Sequence, residues 1–382
     1  MRRVKVLSVF GTRPEAIKMC PLVLELQSHP EIDSLVCVTA QHRQMLDQVL
    51  EIFQIKPDYD LNLMKDKQTL FSITSGILDQ METVLESAKP DLVLVHGDTS
   101  TTFAVALAAF YKKIPVGHVE AGLRTYDKYS PFPEEMNRLL TSRIAELHFA
   151  PTKNNEANLA NEGISKQVYI TGNTVIDAFK TTVKKNYSYK SPELAALDLS
   201  KWRTVLLTAH RRENLGEPLE NICRAVRHLA DTHEDLSFVY PMHLNPVVRD
   251  TAVAVLGGHP RIHLIEPLDV EDMHNLMSKC YMVMTDSGGL QEEAPSLGVP
   301  VVVLRTETER PEAVDAGTVI VAGVDEDNIF TVSDKLITDS ITYKQMANAV
   351  NPYGDGHASQ KITDYIIEWF KGYTDIERLY FD

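Results

Sequence analysis

The chain reads as an α/β protein made of two doubly wound, Rossmann-like domains, and three observations predict this. Short β-branched runs alternate with longer helical stretches almost from end to end. That rhythm breaks once, at Lys184–Trp202 (KKNYSYKSPELAALDLSKW), and then restarts. A length of 382 residues exceeds what one core ordinarily holds and suits two domains. Strand–helix–strand units of this kind build parallel sheets with helices on both faces.

In the first half, strands are expected at Val4–Phe10, Leu35–Thr39, Leu92–His96, Val116–Val119, Leu147–Phe149 and Val168–Thr171. Helical periodicity fills the gaps at Ala16–Gln27, Thr69–Glu86, Thr99–Phe110, Glu134–Ala145 and Asn154–Glu162. In the second half, strands are expected at Thr204–Thr208, Leu236–Tyr240, Ile262–Leu264, Tyr281–Met284, Val299–Leu304 and Val319–Val321. The expected domains are 1–185 and 200–358, with 184–202 as a linker. A turn cluster, NPYGDGHAS, then precedes an amphipathic helix in the stretch from about 360 to 382.

Composition narrows the function classes. Hydrophobic residues make up 44% and charged residues 24%, as in ordinary globular proteins. A formal net charge of −15 argues against a surface that coats nucleic acid, while leaving room for a local basic pocket. The cysteines Cys20, Cys37, Cys223 and Cys280 are widely spaced, with no CxxC and no paired histidines. Neither a zinc site nor a disulfide framework is expected, no metal is called for, and a reducing cytoplasm fits. The apolar run Val4–Phe10 is followed at once by charge, so it reads as a strand and not a signal peptide. Phe103–Tyr111 is far too short to span a membrane.

Ligands of open parallel sheets sit beyond the carboxyl ends of the strands, so the residues just after each strand carry the information. Thr285–Glu293, TDSGGLQEE, joins a strand to a helix through a Gly turn. Unpaired N–H groups and the helix dipole there suit a phosphate on Ser287, Gly288 and Gly289, with Glu293 two turns in and able to reach a ribose hydroxyl. The plain alternative is a turn with Ser287 as helix cap. GTRPEAIK follows the first strand, with Pro14 at a helix start and Arg13 and Lys18 as cations. A cation at a helix N-terminus opposes the dipole, so Arg13 facing an anion competes with a merely solvated side chain.

Asp98 stands after the third strand in VLVHGDTSTT, where it could equally cap the next helix. Glu120 follows the fourth, in VGHVEAGLRT, and Glu134 and Glu135 open a helix in PEEMNR. Acids in a first helical turn are good dipole partners. Three acids brought to one sheet edge with Arg13 and Arg124 nearby also suggest a proton-handling cleft, because grouped acids raise one another's pKa. In the second half His210 follows its strand directly, beside Arg211 and Arg212, and His243 follows the next strand. Arg310, before Pro311, could face a phosphate or brace the turn.

GTRPEAIK, QHRQMLDQVL (Gln41–Leu50), HGDT, VEAGLRT, PEEMNR, TAHRRE, TDSGGLQEEAP, TERPEA and NPYGDGHAS stand in this order across nearly the whole chain. Together they resemble the non-hydrolysing UDP-N-acetylglucosamine 2-epimerases. The resemblance implies the GT-B architecture, two Rossmann-like domains facing a central cleft, with the terminal helix returning to the first domain. It implies interconversion of UDP-GlcNAc and UDP-ManNAc for bacterial surface polysaccharide, by a homodimer. Arg13, Lys18, His210, Ser287, Gly288, Gly289, Glu293 and Arg310 match positions that hold UDP or its sugar. Asp98, Glu120 and Glu134 match the carboxylates of proton transfer, with His210 beside them as a further catalytic candidate. Gln41, His42, Gln44, Glu134, Arg211 and His243 match a second, allosteric UDP-GlcNAc site. Lys67 stands where that site is expected to carry Arg, a point charge in place of a fork. Leu268 likewise departs from an expected Gln near the uracil.

The chemistry demands such a set. Carbon 2 of the sugar carries no activated proton. A nicotinamide route has no support from the first strand, which no GxGxxG follows, so no cofactor is expected. Expelling UDP while carbon 2 loses its proton gives 2-acetamidoglucal, which turns and takes UDP back. This requires cations on the leaving diphosphate and acid–base groups at carbon 2. The alternatives are a hydrolysing 2-epimerase that releases ManNAc and UDP, and a glycosyltransferase of the same architecture.

Overall fold

The structure is a computed structural model that describes residues 3–39, 43–63 and 68–380. It divides into two units, Met1–Thr181 with Tyr353–Asp382, and Thr182–Pro352.

The first unit holds one parallel sheet: β1 Val4–Phe10, β2 Ile32–Val38, β3 Tyr59–Asp60, β4 Leu92–His96, β5 Val116–Val119, β6 Leu147–Ala150 and β7 Val168–Ile170. Their spatial order is β3-β2-β1-β4-β5-β6-β7, so the winding reverses between β1 and β4. Successive side chains of a strand leave opposite faces. Val6, Phe10 and Leu94 accordingly enter one core with helices Arg13–Ser28 and Arg43–Ile52. Leu7, Val9, Val93 and Val95 enter the other, with helices Leu70–Ala88 and Ser100–Tyr111. Burial on both faces is why these strands read as unbroken apolar runs.

The helix Ala358–Tyr380 belongs to this unit, and Ile362, Ile366 and Phe370, spaced one turn apart, complete the core against Arg13–Ser28. Its start is fixed by the Asp177 carboxylate, which accepts the N–H groups of Ala358 (3.1 Å) and Ser359 (3.0 Å). An anion is well placed at a helix N-terminus.

The second unit repeats the plan with β8 Arg203–Thr208, β9 Leu236–Pro241, β10 Ile262–Ile265, β11 Met282–Thr285, β12 Val301–Val303 and β13 Val319–Val321. The order is β10-β9-β8-β11-β12-β13, with its reversal between β8 and β11. Val205, Leu207, Phe238, Tyr240, Met282 and Met284 anchor its core.

Two features differ from expectation. The two-residue strand β3 was too short to leave a pattern. The stretch expected as a linker is tied down: the Asp272 carboxylate accepts from the Tyr187 hydroxyl (2.8 Å) and the N–H groups of Lys190 (3.0 Å) and Ser191 (2.8 Å). Lys184 and Lys190 each pair with Glu271 at 2.7 Å. A polar, turn-rich stretch looks like a linker when the acids that hold it lie some eighty residues further on.

Candidate active site

In each unit the candidate residues follow the strands at the reversal and those next to them, at the carboxyl edge where α/β sheets bind ligands. In the first unit, β1 runs into a capping box at Thr12 and Glu15. The Glu15 carboxylate accepts from the N–H groups of Gly11 (3.0 Å) and Thr12 (2.7 Å) and from the Thr99 hydroxyl (2.7 Å). Buried Glu15 thus ties the turn after β1 to the turn after β4 and sets Arg13 and Lys18 on the first turns of their helix.

Asp98 is not the cap of its helix. Thr99 is, accepting the N–H of Thr102 at 3.1 Å. That leaves the Asp98 carboxylate for other work. Its backbone carbonyl is held by the Asn137 side chain at 2.9 Å, and the adjoining Gly97 carbonyl bonds the buried His118 ring at 2.7 Å. Arg138 Nη1 lies 3.7 Å from Asp98 Oδ2. Burial pushes the Asp98 carboxyl up to about 6; Arg138 and Lys18 pull it down, while Glu120 and Glu134 push it up further.

Glu120 leaves β5 in a left-handed conformation, φ 61°. Such backbone in a residue with a side chain is strained and clusters at functional positions. Two donors meet at its Oε2, Lys18 Nζ in a short ion pair and Asn173 Nδ2 at 3.2 Å, and His96 Nε2 lies 3.2 Å from the same oxygen. Burial alone would raise this carboxyl, but Lys18 and His96 outweigh it and hold Glu120 well below the usual carboxylate range.

Glu134 opens its helix half-buried, and its charge is felt at Asp98. Its neighbour Glu135 is fully buried and structural, accepting from the N–H groups of Thr125 (3.1 Å) and Tyr126 (3.0 Å) and facing Arg138 Nε at 3.0 Å. Arg124, expected near the acids, is turned away. Its guanidinium grips Glu162 with two bonds (2.7 and 3.1 Å) and Ser142 (3.0 Å). The partner, Glu162, is remote in sequence, so nothing local marked the pair.

In the second unit, β11 ends at the helix Gly288–Ser296. Ser287 occupies the cap position, yet its side chain makes no capping bond, so the plain cap reading fails. A methyl group placed on Gly288 would lie 3.6 Å from Arg310 Nη2 and 3.8 Å from Arg211 Nη2. Two guanidinium groups therefore converge on an open helix N-terminus, an arrangement built for an anion. Arg310 also braces its surroundings, its Nε pairing with Glu292. Glu293 folds back to within 3.1 Å of the same methyl position on Gly289 and pairs with His274 at 3.4 Å.

His210 and His243 stack face to face, ring centres 5.2 Å apart and 5° from parallel. Beside His210 lies Asp286, fully buried. Its Oδ2 accepts from the N–H groups of His210 (2.8 Å) and Arg211 (2.8 Å) and from Asn214 Nδ2 (3.1 Å). Burial lowers the His210 pKa; Asp286 opposes this, and His243 and Arg211 reinforce it.

Of the allosteric candidates, Gln41, His42 and Lys67 lie outside the described residues, as does the side chain of Gln44. Glu134 sits in the first unit, Arg211 and His243 in the second. Sequence reasoning missed Glu15, His96, Arg138, Asn173 and Asp286. His96 and Asp286 stand at strand ends within motifs already singled out, a signal that could have found them. Among the described residues no cluster of His, Cys, Asp and Glu could hold a metal ion, and no helix is long and apolar enough to cross a membrane.

A family model described as UDP-N-acetylglucosamine 2-epimerase matches residues 24–367. A UDP-N-acetylglucosamine 2-epimerase of Bacillus subtilis is 58% identical over 368 residues, 96% of either chain. The crystal structure of the Neisseria meningitidis UDP-GlcNAc 2-epimerase bound to UDP-GlcNAc is 52% identical, with TM-score 0.86 over 96% of this chain and 100% of that one. The S. aureus MnaA–UDP structure is 54% identical, with TM-score 0.87 over 96% and 97%.

Proposed function

The chain belongs to the UDP-N-acetylglucosamine 2-epimerase family, and from that premise we propose that it interconverts UDP-GlcNAc and UDP-ManNAc without releasing free sugar. UDP sits with its diphosphate on the Ser287–Gly289 turn between Arg310 and Arg211, and its ribose at Glu293. The bond from carbon 1 to the UDP oxygen breaks as carbon 2 gives up its proton, leaving 2-acetamidoglucal and UDP. The glycal turns, UDP adds back to carbon 1, and carbon 2 receives a proton on the other face. Arg310, Arg211 and the helix N–H groups stabilise the charge growing on the leaving diphosphate. Lys18 and Arg13 are the further cations of the substrate-binding set.

The observation that carries this reading is the split between two neighbouring acids. Asp98 is pushed up to about 6 and Glu120 is held low as an anion. Acids with diverging pKa values mark acid–base assignments. Asp98 and Glu134 work at the proton-transfer steps, and Glu120, strained and fixed by Lys18 and Asn173, orients the sugar. His210 lies over the diphosphate end.

The test is NMR of the purified protein with UDP-GlcNAc in heavy water. Deuterium is expected at carbon 2, in an equilibrium mixture in which both sugars still carry UDP. Build-up of free ManNAc and UDP would instead establish a hydrolase. Because Asp98 must be ionised to take a proton, kcat/KM for UDP-GlcNAc is expected to fall below about pH 6; an acid limb at the ordinary carboxylate value of 3.8 would remove Asp98 from that step.

The reading extends to regulation: UDP-GlcNAc activates its own epimerase at a second site that includes Gln41, His42, Gln44, Lys67, Glu134, Arg211 and His243. Starting from UDP-ManNAc alone, progress curves are expected to show a lag that trace UDP-GlcNAc abolishes. Linear progress without it would argue that Lys67 no longer serves. A cytoplasmic homodimer completes the proposal, with its product feeding polysaccharide synthesis.

A further inference from the structure

We propose that Asp286 is a positioning residue for His210. It fixes the tautomer of that ring and steadies its positive charge when an anion binds. The inference rests on the epimerase reading for its consequence but not for its test.

Asp286 is 0% exposed, and its two oxygens have different fates. Oδ2 is saturated by the His210 and Arg211 N–H groups and by Asn214. Oδ1 is buried with no hydrogen-bond partner among the described residues, and lies 3.7 Å from His210 Nδ1. A buried carboxylate oxygen without a partner is costly, and native proteins keep such groups where they have a task. Bracing the backbone needs only Oδ2. The second oxygen faces the ring.

The geometry gives that oxygen one donor to wait for. Because Oδ2 is fastened to the backbone N–H of His210 itself, carboxylate and imidazole cannot drift apart. A small rotation of the ring closes 3.7 Å to hydrogen-bond length. Nδ1 then carries the proton toward Asp286, and Nε2 becomes the atom presented to the site, with the ring 39% exposed. A carboxylate behind a histidine sets its tautomer in this way.

The groups that face the ring set the terms of the switch. Burial first, then His243 stacked on it and Arg211 next in the chain, disfavour a charged His210, and Asp286 favours it. A diphosphate on the adjoining Ser287–Gly289 turn would neutralise Arg211 and Arg310. The balance would then swing to the imidazolium, held by Asp286 behind and the anion in front. UDP binding would thus favour the charged ring, which is when charge grows on the leaving oxygen.

Histidine-labelled whole protein tests this by two-bond proton–nitrogen NMR, with His210 assigned from the resonance lost in His210→Gln. The expected neutral form has Nδ1 protonated and Nε2 bare, and saturating UDP raises the titration midpoint by one unit or more. The opposite tautomer, or a midpoint that UDP leaves in place, would overturn the proposal. Asp286→Asn keeps an oxygen for the backbone N–H groups and turns an amide toward the ring. It is expected to lower the His210 midpoint by about one unit or more and to reduce kcat ten- to hundred-fold with a smaller change in KM. An unchanged midpoint and rate would reduce Asp286 to a backbone brace. Should that variant fail to fold, the wild-type tautomer and its response to UDP still decide. Because the NMR readout needs only UDP, a protein that bound UDP but failed to epimerise would separate the two claims.

Discussion

Replacing Asp98 by asparagine is expected to lower kcat by about 10²- to 10⁴-fold, the range lost with a general acid–base group, while UDP still binds within a few-fold of normal. The substitution keeps the shape of the side chain and the Asn137 bond to the Asp98 carbonyl. It removes only the capacity to take a proton. A stability change is expected alongside. The folded-state pKa of Asp98 is raised from 3.8 to about 6, so the native protein holds this proton more tightly than the unfolded chain does. The penalty on folding therefore grows as pH rises from 3.8 and is complete above about pH 6, and asparagine removes it. At pH 7.5 the variant should be more stable by about 1–3 kcal/mol, a gain that disappears toward pH 3.8. An inactive yet stabilised protein in urea titrations is the signature of a residue kept for chemistry. Near-normal turnover would return Asp98 to an architectural role.

Gly122→Ala is expected to destabilise the first unit by about 3 kcal/mol or more, or to prevent folding. Gly122 has φ 93°, and a β-carbon there would stand 2.2 Å from the Asn155 carbonyl oxygen and 2.8 Å from its carbon. The obstacle is backbone. It cannot withdraw cheaply, because Asn155 is locked in a capping box with Thr152 and Asn158 bonds the Gly122 carbonyl at 3.0 Å. The damage lands on chemistry too, since Glu120 is two residues away and already held at φ 61°. Equilibrium unfolding decides it. A loss below about 1 kcal/mol would mean that the helix Lys153–Asn161 yields more readily than its caps suggest.

Much of this was legible in the residues. Strands buried on both faces are runs of Val, Leu and Ile, so their existence and order could be read and their ends missed by one to three residues. The site was legible for a topological reason: parallel winding brings the residues after each strand to one edge, whatever lies between. What stayed hidden was pairing at long range. Arg124 looked like a site cation until Glu162 claimed it, and Lys184–Trp202 looked unattached until Glu271 and Asp272 did. Asp286 stood in the middle of the most informative motif and was passed over, because a turn explains Ser287 and Gly288 and only the fold shows whose N–H groups an aspartate accepts.

The chain leaves the first unit at Thr181 and rejoins it only at Tyr353. On the ribosome, therefore, the part made first is finished last. Until Ile362, Ile366 and Phe370 emerge, the apolar flank of Arg13–Ser28 has no cover. At 5–20 residues per second, that wait lasts on the order of twenty to seventy seconds. The later-made half, Thr182–Pro352, is one continuous stretch and can close sooner. Nascent chains of this protein accordingly carry an unfinished, sticky amino-terminal half for most of their synthesis, which is the stage at which chaperones would meet it.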